Sequence, residues 1–595
     1  MARDIKSTRL FEIAWEVCNQ VGGIYTVIRS KVPDMKNIWG DNYSVIGPYF
    51  NNNEFEEEED QDDILCQVVH KLRQEGIDAH YGTWLISGRP KAVLLNPYSA
   101  FSSLADIKYQ MWDQHDIEFE SHDDLLDQVI AFGYCVFRFN QVYENLTKGK
   151  QETVFHFHEW MAGVAVPLMR KANCKSKIVF TTHATLLGRY LAMNDPEFYD
   201  RLEWVDWEKE AKYFNILAQV KIERAATHGA HTFSTVSQIT GEECKYLLHR
   251  EPDNILPNGL NVSRYEALHE FQNLHLTYKK KIQDFIKGHF FPSYSFDLDK
   301  TLYFFTSGRF EFKNKGFDLT LEALARLNAM IKDAGLDVTV VMFFITKKPT
   351  TSINVDLLHS RSILEELRQT CEAIEHEVAE KLFDHATSKK DHGIPELGEF
   401  IPDYSRLRYK RTLQSWSSDK LPPVVTHNLI DEDKDELMNS VKNLQLFNNE
   451  HDRVKIVYHP DFINFTSPLL KMEYGHFVRG CNLGVFPSYY EPWGYTPLEC
   501  LVRGVPSVTS DLSGFGDYVL DKLPKIVDKG VCVTRRKGKP FHDSAAQLAD
   551  QLMSFVKLSR RDRIKQRNYV ESFSEEFDWK TLVKYYQEAY ESALG

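Results

Sequence analysis

The 595-residue sequence has no CxxC pair. Its nine cysteines stand singly at Cys18, Cys66, Cys135, Cys174, Cys244, Cys371, Cys481, Cys500 and Cys532. That scatter argues against a zinc knuckle or thioredoxin-type site and suits a reducing compartment. The charged N-terminus lacks a signal-peptide apolar stretch. The most apolar run, Val338–Ile345, is far too short to span a bilayer and reads as a buried strand. Positive charge is in deficit, 71 Lys+Arg against 85 Asp+Glu for a net of −14, so the chain repels polyphosphate at long range. A GxGxxG fingerprint and internal repeats are also missing. These absences set the expectation: a cytoplasmic protein with no membrane or nucleic-acid partner, no metal and no bound cofactor.

Strand-like runs at Tyr43–Gly47, Lys91–Leu95, Thr153–Phe157, Lys177–Thr181 and His231–Thr235 alternate with helical stretches such as Asp124–Tyr143 and Gly163–Ala172. A second series begins at Leu302–Thr306 and continues through Asp337–Phe344, Val454–Tyr458, Leu483–Phe486 and Val505–Thr509. Such alternation predicts an α/β fold of two doubly wound, Rossmann-like units. The division expected is 1–270 and 271–573, with a charged helical insertion at about 355–445 in the second unit. Trp579–Leu594 reads as a helix with an apolar face that either crosses back to complete the first unit, at 574–595, or caps the second. The acidic run Glu54–Asp63 is expected to be a solvated loop or a disordered tip.

Five strings carry candidate chemistry. Ser488–Glu499, SYYEPWGYTPLE, follows a strand and opens a helix. Glu491 falls in the loop and Glu499 about a turn inside the helix. Backbone N–H groups near Tyr495 and Thr496 would meet an anion. In Ser307–Phe317, SGRFEFKNKGF, Arg309 and Lys315 follow a strand end, where open α/β sheets bind ligands. Together they could stabilise a departing diphosphate without metal. An isolated pair at that spacing would more often be a solvated basic turn. His183, in TTHATLLGRY, sits at another strand end. His156, His158 and Glu159 form an HxHE string whose two histidines share one strand face, with no third group to complete a metal site. The Gly22–Gly23 turn would let backbone approach a phosphate or sugar, or merely pack. Arg560, Arg563 and Arg567 make one stripe of a helix that either invites an anion or is simply solvated.

These strings, with EVCNQVGGIYTV, HEWMAG, ILPNGLNV and RRDRIKQRN in order over nearly the whole chain, resemble the glycogen synthase family of animals and fungi. The resemblance implies a two-domain GT-B fold with the active site in the cleft. It implies a retaining glycosyltransferase moving glucose from UDP-glucose to the 4-hydroxyl of an α-1,4-glucan. In this family's pattern Glu491 lies beside the donor sugar and Glu499 near the ribose. Arg309 and Lys315 neutralise the diphosphate, and His183 lies near the sugar. Tyr474 stacks on the base; Arg189 and Glu159 line the cleft. Arg563 and Arg567, with Gln272, His275 and Lys279 opposite, match the pocket for the activator glucose 6-phosphate. Asn482, Tyr569, Ser572 and Gln20 depart from the pattern at positions usually basic, and the long phosphorylatable tails of the animal enzymes are not matched. The family also implies a homotetramer and the priming partner glycogenin.

Front-side attack and a covalent glycosyl-enzyme both fit the residues. The alternatives to a synthase are a catalytically inactive glucan-binding scaffold of the same fold, and a phosphorylase or hydrolase, the former needing pyridoxal phosphate.

Overall fold

The computed structural model describes residues 7–50, 54–119, 123–262, 271–388 and 394–595. A nine-stranded sheet is built from β1 (Arg9–Ala14), β2 (Tyr43–Pro48), β3 (Phe55–Glu57), β4 (Ala79–Trp84), β5 (Lys91–Leu95), β6 (Thr153–His158), β7 (Lys177–Thr182), β8 (Thr232–Thr235) and β9 (Asn254–Ile255). Its order is β3-β4-β5-β2-β1-β6-β7-β8-β9. The pairs β3–β4 and β4–β5 are antiparallel, and the rest are parallel. A six-stranded parallel sheet follows, ordered β14-β11-β10-β15-β16-β17. Its strands are β10 (Thr301–Ser307), β11 (Thr339–Ile345), β14 (Val454–His459), β15 (Leu483–Val485), β16 (Ser507–Ser510) and β17 (Val531–Thr534). The short pair β12 (Thr350–Ile353) and β13 (His427–Leu429) stands apart.

The sheets form because the runs are apolar on both faces, as helix-covered parallel strands require. Along β1, Phe11 and Ile13 enter one core, and Leu10 and Ala14 the core on the opposite face. Along β10, Leu302 and Phe304 face one way, Tyr303 and Phe305 the other. In each sheet the strand order reverses once beside the first strand of the series, between β1 and β6 and between β10 and β15. Loops leaving those neighbouring strands diverge and open a crevice at their carboxyl ends.

Nine helices matter below: α1 (Gly23–Trp39), α2 (Asp124–Thr147), α3 (Phe271–Phe290), α4 (Val355–Ser388), α5 (Asp403–Trp416), α6 (Tyr474–Gly480), α7 (Tyr495–Leu501), α8 (Arg560–Glu571) and α9 (Trp579–Leu594). Helix α9 lays Trp579, Leu582, Tyr586 and Tyr590 into the core that also holds Leu10, Ala14 and Val27, so it crosses back onto the first sheet. The expected division at residue 270 falls beside 263–270, outside the described residues.

Two expectations are corrected. The segment 355–445 is not one insertion. Helices α4 and α5 pack on each other, but Leu437, Met438 and Val441 belong to the core of the second sheet. The acidic run is not merely a loop, because Phe55–Glu57 is the edge strand β3. Three of its carboxylates pair with neighbouring cations: Glu56 with Arg89 at 3.2 Å, Glu57 with Arg73 at 2.7 Å, and Glu58 with Lys91. Among the described residues, no helix is long and apolar enough to cross a membrane.

Candidate active site

The loops after β10 and β15 meet at the switch point of the second sheet. Gly316 has φ +69°, and a Cβ there would lie 2.2 Å from the Pro487 carbonyl oxygen. Only glycine permits both the left-handed backbone and this close approach. The result is an ion pair between Lys315 Nζ and Glu491 Oε2, with the side chains 17% and 20% exposed. Arg309 is the other of the two cations expected at this strand end. Its side chain is 71% exposed and pairs with Glu311 at 3.2 Å, so it remains reachable from solvent. The Glu491 loop is tied down from behind: Gly514 N–H donates to the Glu491 carbonyl at 3.0 Å. Gly494, at φ +116°, turns the chain into α7, whose start has no side-chain cap. Thr496 is half-buried at that start. The half-buried Tyr495 ring packs against both the core that α9 shares with the first sheet and the core around Trp493 and Phe515.

Next to this pair, Tyr474 Oη lies 2.6 Å from Ser307 Oγ. Burial and the nearby Glu499 push the Tyr474 phenol well up. Burial also raises the Glu499 carboxyl, against the pull of Arg503. Arg503 donates to the Glu499 carbonyl at 2.9 Å and sits 3.7 Å from its carboxylate. Together these residues set a phenol ring, a carboxylate and a serine hydroxyl near one another beyond the end of β10. Ser307 and Arg503 were not foreseen, since neither stands out at its place in the sequence.

The first sheet contributes the facing wall. Glu159 has φ +67°, and its carboxylate accepts from the N–H groups of His183 at 2.9 Å and Ala184 at 3.1 Å. Burial pushes its carboxyl up to about 7, against the pull of Arg189. Glu159 thus shapes the His183 loop from within. Arg189 is exposed, and Tyr490, Glu159, Glu311 and Glu491, on loops of both sheets, favour its charge. At the glycine turn, Gly22 and Tyr25 N–H groups are taken by Glu16, at 2.7 and 2.9 Å. The Gly22 N–H is therefore spoken for, and only Gly23 stands open, since a Cβ added there would meet no atom within 4 Å. Two further buried glutamates brace the His183 loop. Glu223 accepts from Thr182 and Leu186, and Glu243 from Thr185, Tyr199 and, across the crevice, Tyr490 at 3.4 Å. Burial lifts these carboxyls to about 8 and about 7. No spacing in the sequence marks Glu16, Glu223 or Glu243.

The expectation that nothing completes the His156–His158 pair is also corrected. Glu12, on the adjacent β1, brings a carboxylate so that one ligand atom from each residue lies within 4.8 Å of the others. The cluster is a hydrogen-bonded ion network. Lys31 pairs with Glu12, and Tyr43 and His158 donate to the same carboxylate at 2.5 and 2.7 Å. His156 is engaged by Tyr590 at 2.9 Å and Thr181 at 2.7 Å. A metal ion there would have to displace the Lys31 ammonium.

The five residues expected at an allosteric pocket come together between α3 and α8. Gln272 donates to Asn568 at 3.1 Å. His275 and Arg567 both bond the Arg479 carbonyl, at 2.9 and 3.2 Å. Burial, with Arg567 next, pushes His275 down to about 3. Burial and then Arg563, Arg560 and Arg567 push Lys279 down to about 8. The three arginines that oppose the charge of Lys279 form with it a site of positive potential that an anion would relieve. Two of the departing residues are engaged elsewhere: Asn482 exchanges hydrogen bonds with the Tyr303 backbone, and Tyr569 donates to the Lys525 carbonyl.

A family model described as glycogen synthase matches residues 12–595. The chain is 43% identical over 597 residues to a glycogen [starch] synthase of Neurospora crassa, covering 100% of this chain and 84% of that protein. It is 42% identical over 589 residues to the human liver glycogen [starch] synthase, covering 98% and 83%. Among solved structures, the catalytic domain of starch synthase IV from Arabidopsis thaliana, bound to ADP and acarbose, superposes with a TM-score of 0.52 at 13% identity. That match covers 99% of this chain and 100% of that one and reports a shared fold.

Proposed function

The chain belongs to the glycogen synthase family of glycosyltransferases, and from that premise we propose that it transfers glucose from UDP-glucose to the non-reducing 4-hydroxyl of an α-1,4-glucan, with retention and release of UDP. The observation that carries the reading is the Lys315–Glu491 ion pair at the switch point of the second sheet, faced by Arg189 from the first. In the reaction the bond between the anomeric carbon and the β-phosphate oxygen breaks, and its electron pair leaves with UDP. The acceptor oxygen bonds to that carbon, and its proton passes to the leaving phosphate. Arg309 and Lys315 are the cations available to the diphosphate, and Glu491 the carboxylate available to the positive charge building on the sugar. Tyr474 and Glu499 take the nucleoside, while Thr496, Gly22 and Gly23 border the donor. No metal or cofactor is required in this scheme.

The basic cluster of His275, Lys279, Arg563 and Arg567, with Gln272, is read as the site for glucose 6-phosphate as activator. The α4–α5 pair exposes Phe383 and Tyr404, at 68% and 72%, and is read as the face through which a homotetramer forms. A cytoplasmic location and priming by glycogenin belong to the same reading. The test is Glu491→Gln. UDP release with glycogen as acceptor should fall by several orders of magnitude while the far-ultraviolet circular dichroism stays unchanged. Substantial turnover by the variant would remove Glu491 from the reaction.

A further inference from the structure

His183 reaches the crevice wall from the end of β7, and its side chain is tied to a chain of groups running inward. Its Nε2 lies 2.9 Å from His158 Nδ1. The other nitrogen of His158, Nε2, lies 2.7 Å from Glu12 Oε1. Glu12 also accepts from Lys31 and from the Tyr43 hydroxyl. Glu12, Lys31 and His158 are fully buried, and His183 keeps 8% of its surface.

The direction of each hydrogen bond follows from what these groups can donate. Lys31 and Tyr43 can only donate to Glu12 in this arrangement, and an ionised carboxylate has only lone pairs to offer. Burial disfavours its charge, yet Lys31 and His158 hold Glu12 well below the usual carboxylate range. His158 Nε2 must then carry a hydrogen. Burial pushes the His158 imidazole down against the pull of Glu12, and Lys31 also opposes a second proton, so the ring is neutral at neutral pH. Its Nδ1 therefore has a lone pair, and the hydrogen between the two rings sits on His183 Nε2. The His183 imidazole is itself pushed well down by burial, and the Lys31 ammonium also opposes its charge. The neighbouring His156 bonds to Tyr590 and Thr181 and takes no part in the sequence.

We propose that His158, anchored by the Glu12–Lys31 ion pair, is a positioning residue that locks His183 in its Nε2–H tautomer. Its Nδ1 is thereby presented as a hydrogen-bond acceptor, so the wall recognises a hydroxyl of the bound sugar and not an anionic or acceptor group. The tautomer follows from the resting protein alone, whereas its use on the donor rests on the glucosyl-transfer reading above. A free imidazole samples both tautomers; one locked from behind meets the hydroxyl already oriented.

Two measurements test this on the full-length protein. Nitrogen-15 histidine spectra identify His183 by the signals lost in His183→Phe. The expected result is a neutral ring with the hydrogen on Nε2. A hydrogen on Nδ1, or a doubly protonated ring at neutral pH, overturns the proposal whatever the activity. The second measurement compares His158→Leu with His158→Gln, whose amide can donate to Glu12 while its oxygen accepts from His183. His158→Leu should lower kcat/KM for UDP-glucose about tenfold, as loss of one oriented hydrogen bond would. It should also erase discrimination against the monodeoxy donor that lacks the recognised hydroxyl. His158→Gln should restore both. Unchanged discrimination in a folded His158→Leu protein overturns the proposal. If wild-type protein shows the locked tautomer but no glucosyl transfer, the reading of the reaction fails and the tautomer stands.

Discussion

Lys31 lies fully buried, with its ammonium against Glu12 and 3.8 Å from the centre of the Tyr586 ring. Removing one member of a buried pair leaves the other charge uncompensated, at about 3–5 kcal/mol. Lys31→Met should therefore lower the melting temperature sharply, and Lys31→Met with Glu12→Gln should recover part of the loss; a calorimetric comparison checks both. At the basic cluster between α3 and α8, burial and the neighbouring arginines push Lys279 from its usual value above 10 down to about 8. Its charge is present below that pH and lost above it. Affinity for glucose 6-phosphate, the activator proposed for this cluster, should fall as pH rises through about 8, and Lys279→Met should flatten the profile; titration calorimetry between pH 7 and 9 reads it. At this scale the sequence exposed what stands in contiguous strings, including Lys315, Glu491, Tyr474 and Arg567. It hid Glu12, Glu16, Glu223 and Glu243, because a lone glutamate on a strand or helix looks the same whether solvated or bracing a loop.

Among the elements, two glycine contacts decide whether the crevice loops close. At Gly514 a Cβ would lie 2.1 Å from the Pro492 carbonyl oxygen and 2.7 Å from Ser237 Cβ. Gly514→Ala should push the Glu491 loop and the first-sheet wall apart and lower kcat/KM at least about tenfold, with the melting temperature reduced. Gly316→Ala adds left-handed strain of ~1–3 kcal/mol to its clash and should displace Lys315. Steady-state kinetics of both, against a surface control such as Gly335→Ala, separate loop displacement from general loss of stability. Helix α7 was readable as a strand-to-helix turn from GYTPLE, yet the Tyr495 ring packs against the core that α9 shares with the first sheet. Side-chain direction at a helix start depends on which neighbour offers an apolar surface, and that neighbour comes from the far end of the chain.

Across the whole molecule, α9 buries Trp579, Leu582, Val583, Tyr586, Tyr590 and Leu594 against the first sheet. At ~1.5–3 kcal/mol for each large side chain, their loss is comparable with the full stability of a typical domain. A chain ending before Trp579 should be insoluble or molten, as solubility and near-ultraviolet circular dichroism would report. Phe383→Glu with Tyr404→Glu should reduce the particle mass in light scattering if the α4–α5 face joins copies of the chain. The amino-acid sequence on its own determined the two series of strands, because an apolar run must be buried whichever strand lies beside it. It also marked the strings that carry charge at strand ends. The tertiary structure alone decided which ends meet. Lys315 and Glu491 lie 176 residues apart and touch because β15 enters the sheet beside β10. Glu12 reaches His158 because β1 pairs with β6. Strand order is set by how all the helices and strands pack at once, and no local pattern records it.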